Sequence, residues 1–137
     1  MKNICNKYEI SIIITSHEPA DVLPWADKII VLKNGKILQE GTAVEVYKSP
    51  INEYVAGLLG NYNLLDKNIS LTKKIIRPED IQLVKEGEGD FFGIILSVKF
   101  MGNYFEVEIE IKQQQLKVQT ASNDIKVGDV MGIVFQK

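Results

Sequence analysis

The 137-residue sequence predicts an incomplete α/β segment followed by a small all-β barrel. Three observations carry that expectation. Ile10-Ser11-Ile12-Ile13-Ile14-Thr15 is β-branched at all but one position. So little alternation marks a strand buried on both faces, as in a parallel sheet. Near Asn61 the apolar period changes from helical to two. Beyond that point six short strands fit into about 65 residues, each with one wet face, and a closed barrel leaves no exposed edges.

The chain opens on the end of a helix, and Ile10 to Thr15 follows. Ser16-His17-Glu18-Pro19 is a polar turn. Ser16 or His17 can cap a short helix, with Pro19 in its first turn, where a missing N–H costs nothing. That helix is expected to bury Ala20, Leu23 and Ala26. Pro24 limits it. Strands at Lys28–Lys33 and Lys36–Glu40 flank Asn34-Gly35, the strongest two-residue hairpin signal. Thr42-Ala43-Val44-Glu45 has the spacing of a capping box. The helix it opens stops near Ser49-Pro50. A second helix is expected over Pro50–Leu59 with Ile51, Tyr54, Val55 and Leu58 as its apolar stripe, ended by Gly60. Asn61 to about Leu71 reads as a linker anchored by Leu64 and Leu65. The expected strands then cover 74–77, 81–84, 91–100, 105–112, 116–119 and 130–135.

A boundary near Asn61 leaves six basic and seven acidic residues before it and ten and eleven after it. Neither side is therefore a basic module. The first 60 residues make a marginal core. The strand at Ile10 wants parallel neighbours that the chain does not supply. The favoured explanation is that the chain is the tail of a longer protein. The other is a complete chain whose first part packs on the barrel or on another copy.

Composition bounds the function. Hydrophobic residues are 45% and charged residues 25%, as in soluble globular proteins. The net charge of -2 lacks the basic excess of a generic nucleic-acid binder. The single cysteine, Cys5, allows no intrachain disulfide. No apolar run approaches the roughly 18 residues of a membrane span. A cytoplasmic protein is the expectation.

The single histidine, His17, follows the buried strand and precedes a helix, where open α/β sheets bind ligands. It can meet a phosphate or position a water. It can equally be a solvated turn residue or a cap. Cys5 and His17 have nothing to orient them as a thiol–imidazole pair, and too few ligands exist for zinc. Gly57-Leu58-Leu59-Gly60 lacks the lysine of a phosphate loop. Glu106, Glu108 and Glu110 form a carboxylate row, most simply the wet face of a strand. Phe91, Phe92, Tyr104 and Phe105 lie among acidic residues and read as core rather than a nucleic-acid platform. Lys99, Asn103 and Lys117 are the side-chain types an oxyanion site in a barrel would use.

The ordered motifs resemble a family. Ile12-Ile13-Ile14-Thr15-Ser16-His17-Glu18 resembles the strand and switch-histidine segment of ABC transporter ATPases. Ala26 to Leu32, then Asn34-Gly35-Lys36-Ile37, resembles their next hairpin. Gln39-Glu40-Gly41-Thr42, Glu45-Val46-Tyr47 and Ser49-Pro50 resemble the helix closing the nucleotide-binding domain. Tyr54 to Gly60 fits the stretch leading into the C-terminal domain. Arg77-Pro78-Glu79-Asp80-Ile81 is similar to the opening signature of the transport-associated OB (TOBE) domain, and Gly102 and Val127-Gly128-Asp129 fall at its turns.

The resemblance covers nearly the whole chain. It implies an importer-type ATP-binding subunit, with residues 1–61 the C-terminal α/β remnant of the ATPase domain and 62–137 an OB-like TOBE regulatory barrel. His17 would contact the terminal phosphate of ATP in the complete parent. ATP and Mg would be the parent's cofactors, with none for this chain alone. The Walker A, glutamine-loop, signature and Walker B motifs would lie before Met1, so the chain alone is expected to be inactive. Implied partners are a second ATPase subunit, membrane permease subunits and a regulatory ligand or protein on the barrel, without nucleic acid. The implied location is the inner face of the cell membrane. The alternative is a stand-alone barrel that binds a small oxyanion such as molybdate.

Overall fold

The computed structural model describes residues 2–72 and 75–136. The chain divides after Gly60 into two compact units. The first holds α1 (Lys2–Tyr8), α2 (Pro19–Val22), β1 (Ile29–Lys33), β2 (Lys36–Gly41), α3 (Ala43–Lys48) and α4 (Glu53–Leu59). The second holds β3 (Asn63–Leu64), β4 (Ile75–Ile76), a 3₁₀ turn (Pro78–Asp80), β5 (Ile81–Val84), β6 (Phe91–Phe100), β7 (Phe105–Ile111), β8 (Gln114–Thr120) and β9 (Val130–Phe135).

In the first unit, β1 and β2 form the expected hairpin. Asn34 and Gly35 both have positive φ, +51° and +74°, the primed-turn geometry that matches strand twist. Thr42 caps α3, and both halves of the capping box form. Ile29, Val31, Val46, Val55 and Leu59 make the core of this unit. Three expectations are corrected. Residues 10–15 join no sheet, and their isoleucines are exposed, Ile13 by 94%. A doubly buried strand needs a neighbour on each side, and β1 pairs with β2 alone. At α2 the N-cap position falls to Glu18, and Ala20 is exposed while Leu23 and Ala26 are partly buried. The last helix starts at Glu53 because the Asn52 side chain accepts from the Val55 N–H. That start turns Val55, Ala56 and Leu59 inward and leaves Ile51 and Tyr54 exposed.

In the second unit, five strands form one antiparallel sheet in the order β5-β9-β6-β7-β8. β6 is the pivot. Residues 91–94 pair with β9 and residues 94–100 with β7, with a register shift between Ile95 and Ser97. Such an irregularity bends a strand and lets it serve two directions. Gly93 sits at the changeover. A Cβ there would lie 2.2 Å from the Glu110 carbonyl oxygen, so only glycine permits this approach.

The edges β5 and β8 touch but share no ladder. Closure of the barrel by strand hydrogen bonds is therefore corrected to a curled sheet with one open seam. The linker expected over 61–71 instead supplies β3, paired with β4, and buries Leu65 and Ile69 in the core. Of the strand expected over 74–77, Ile75 and Ile76 are found and Lys74 lies outside the described residues.

Candidate functional site

His17 stands just past the apolar 10–15 run. Ser16 shapes the turn after it. The Ser16 hydroxyl accepts from the Glu18 N–H at 3.0 Å and donates to Asp21 Oδ2 at 3.1 Å. Pro19 then starts α2. The turn leaves the His17 side chain 91% exposed, with Nε2 at 3.8 Å from Glu18 Oε1. The imidazole is thus fully accessible to an incoming ligand, and its neighbour is one solvated carboxylate. Cys5 is a free, partly buried thiol. Among the described residues no three His, Cys, Asp or Glu side chains gather as a metal site would require. The turn offers one accessible imidazole.

The second unit holds the remaining candidates. Glu106, Glu108 and Glu110 alternate with the buried Val107 and Ile109 on β7. Glu106 lies opposite Lys99 and Gln119, and Glu108 opposite Ser97 and Lys117. Lys99 Nζ is 3.8 Å from Glu108 Oε1. The row is a wet face interleaved with cations across the strands, as cross-strand pairing favours. Lys99 and Lys117 lie on either side of β7, and Asn103 lies in the turn beyond Phe100. The three oxyanion candidates are not gathered on one strand. Phe91 and Phe105 pack against the core, where Phe91 meets Phe135 and Phe105 meets Phe100 in tilted pairs. These aromatics are structural. Phe92 is instead exposed, with Ile94, Leu96 and Val130, on the outer face of the sheet.

A shallow cleft of about 250 Å³ is lined by Tyr62, Asn63, Leu64, Glu108 and residues 114–117. Its walls are tied together by amide side chains. Asn63 Nδ2 donates to the Lys117 carbonyl and Asn63 Oδ1 accepts from the Lys117 N–H, both at 2.7 Å. Gln114 donates to the Leu64 carbonyl and accepts from the Asp66 N–H. Lys112 Nζ donates to the Asn68 carbonyl at 2.9 Å and lies 4.6 Å from the Phe91 ring centroid. Sequence reasoning misses Asn63, Lys112 and Gln114. Isolated polar residues in a turn or linker carry no period, so their partners, about 50 residues away in the chain, leave no local signal.

The TOBE domain family matches residues 75–137. The chain is 28% identical over 156 aligned positions to the spermidine/putrescine import ATP-binding protein PotA of Clostridium acetobutylicum, covering 97% of this chain and 44% of the relative. It is 31% identical to the protein of that name in Borrelia garinii subsp. bavariensis and 30% identical to that in Borreliella afzelii, covering 99% of this chain and 46% of each relative. The chain thus spans somewhat less than half the length of these relatives.

Proposed function

Because this chain belongs with the ATP-binding subunits of ABC importers and carries a TOBE domain, we propose that its parent protein couples ATP hydrolysis to solute uptake. Residues 1–61 are read as the closing part of the nucleotide-binding domain, and 62–137 as the regulatory barrel. One observation supports this above the others. The apolar run at Ile10 joins no strand ladder and is exposed, and His17 follows its carboxyl end. That is the state of a central strand whose sheet neighbours are supplied by other residues of a longer protein.

In the complete parent, ATP and Mg are the cofactors, and His17 offers one donor to the terminal phosphate. A positioned donor of this kind serves phosphoryl transfer by stabilising spread negative charge. The phosphate cradle and magnesium ligands come from elsewhere in the parent, so this chain alone does not turn over ATP. The partners are the membrane permease subunits and a second ATPase subunit. The location is the inner membrane face. The relatives are named for spermidine and putrescine import, so a linear polyamine is the proposed cargo class.

The test is ATP turnover by the complete gene product, with the residue corresponding to His17 unchanged or replaced by Ala. Removal of one positioned donor is expected to lower kcat by about a hundredfold or more, with nucleotide binding retained. Unchanged turnover in the His17→Ala protein overturns the assigned role. ATP hydrolysis by residues 1–137 that disappears with His17→Ala overturns the division of labour.

A further inference from the structure

The open seam of the second unit is closed by side chains rather than by a ladder. β8 is an edge of the five-stranded sheet. At Lys117 its outward N–H and C=O both pair with the Asn63 amide, at 2.7 Å each. A side-chain amide presents one donor and one acceptor, so Asn63 stands in for the backbone of a sixth strand. β3 continues the closure by pairing Asn63 with Ile76 and Leu64 with Ile75 on β4. The chain then runs through the Pro78–Asp80 turn into β5, the opposite edge. Around this bridge, Gln114 holds Leu64 and Asp66, Lys112 holds Asn68, and Arg77 Nη1 donates to the Asn61 carbonyl at 2.9 Å.

We propose that residues 61–70 form a detachable strap. It releases as one unit from the β8 edge while the five-stranded sheet stays folded. The distribution of the core supports this. Twelve buried apolar residues make up the core of the second unit, and the strap contributes Leu65 and Ile69 to it. The other ten come from residue 76 onward and remain together when the strap lifts. Strap and sheet are joined by side-chain bonds from scattered residues. The central strand β7 is paired along nearly its whole length with β6 on one side and β8 on the other. Regions held by few backbone ladders open at lower free energy than ladder-paired core strands. Opening frees the N–H and C=O of Lys117, which are then a pairing edge for another extended segment. The strap also begins directly after Gly60, whose φ of +149° and ψ of -174° suit glycine alone. A pull on the chain before residue 61 therefore reaches the strap before it reaches the sheet. This inference does not rest on the proposed transport function.

Native-state hydrogen exchange on the 137-residue chain tests it. The amides of Lys117 and Asp66, whose partners lie across the strap boundary, are expected to exchange at least about tenfold faster than those of Val107 and Ile109 on β7. Asn63→Ala is expected to raise the Lys117 and Asp66 rates together, by a further tenfold or so, with Val107 and Ile109 unchanged. Gln114→Ala, a milder change at the rim, is expected to raise the same two rates together by a smaller factor. Exchange of strap and β7 amides at one common rate in the unsubstituted chain overturns the proposal. So does a variant that accelerates all of these amides equally, or one that accelerates none.

Discussion

Thr42 and Glu45 show how one short spacing becomes stability. The Thr42 N–H donates to Glu45 Oε2 at 2.8 Å, the Thr42 hydroxyl donates to the same oxygen at 3.0 Å, and the Glu45 N–H donates back to Thr42 Oγ1. Thr42→Ala removes the cap and is expected to cost about 1 kcal/mol in urea unfolding. The backbone hydrogen bond from Thr42, and then its hydroxyl, hold the Glu45 carboxyl below its ordinary 4.5. A depressed carboxyl contributes stability above its unfolded value and loses it as pH falls through the folded value. The Glu45 carboxylate's share of the capping is therefore present above about pH 4.5 and fades below it. Unfolding of the unsubstituted chain and Glu45→Gln, compared down this range, is expected to converge at the acid end, because a protonated Glu45 resembles the amide. Gly93 is the harsher case. Gly93→Ala drives a methyl group into the Glu110 carbonyl and the side chains of Ile109 and Ile111. An expected loss of about 3 kcal/mol would appear as a lowered urea midpoint with the slope unchanged.

At the level of elements, two hairpins teach different lessons. Asn34-Gly35 announces its turn in the sequence and adopts it. The β7–β8 hairpin turns through Lys112 and Gln113, which have φ of +48° and +67°. Neither residue signals a primed turn, because a side chain in the left-handed region costs roughly 1–2 kcal/mol. The cost at Lys112 is offset by its bond to Asn68 and its place over Phe91. At Gln113 the left-handed backbone favours glycine, so Gln113→Gly is expected to stabilise the chain by about 0.5 kcal/mol once the extra unfolded-state entropy is counted. A rise in the thermal midpoint checks it, and a fall would show that Gln113 makes a contact that outweighs its backbone cost. The run at Ile10 teaches the reverse lesson. Its composition specifies a strand, yet an element forms a sheet only when neighbours offer their N–H and C=O groups.

At the scale of the whole molecule, each unit has its own core, one drawn from Ile29 to Leu59 and the other from Leu65 to Ile133. Calorimetry is expected to resolve two transitions, with Thr42→Ala lowering one and Gly93→Ala the other. A common shift of both by either variant would show that the units melt as one. The exposed Phe92, Ile94, Leu96 and Val130 form an apolar rank on the outer sheet face. The second-subunit contact of the proposed function is tested at this rank. Ile94→Lys is then expected to lower self-association in sedimentation without lowering the thermal midpoint of the barrel. Unaltered self-association would move the subunit contact elsewhere.

The sequence by itself determined whatever depends on neighbours within a few residues. That covers the Asn34-Gly35 turn, the Thr42–Glu45 box, the alternation of β7 and the change of period near Asn61. It also carried the resemblance to ABC importer ATP-binding subunits, because the motifs follow one another as a linear series. The accessibility of His17 could not be read from it, since exposure depends on what covers the chain. Three-dimensional packing alone decided how the barrel closes. Asn63 and Lys117 are 54 positions apart and meet through two hydrogen bonds. Their encounter depends on the curl of five strands, on the bend in β6 and on Gly93 allowing two strands to approach. Those are properties of the assembled sheet, and no periodicity in a single strand encodes them.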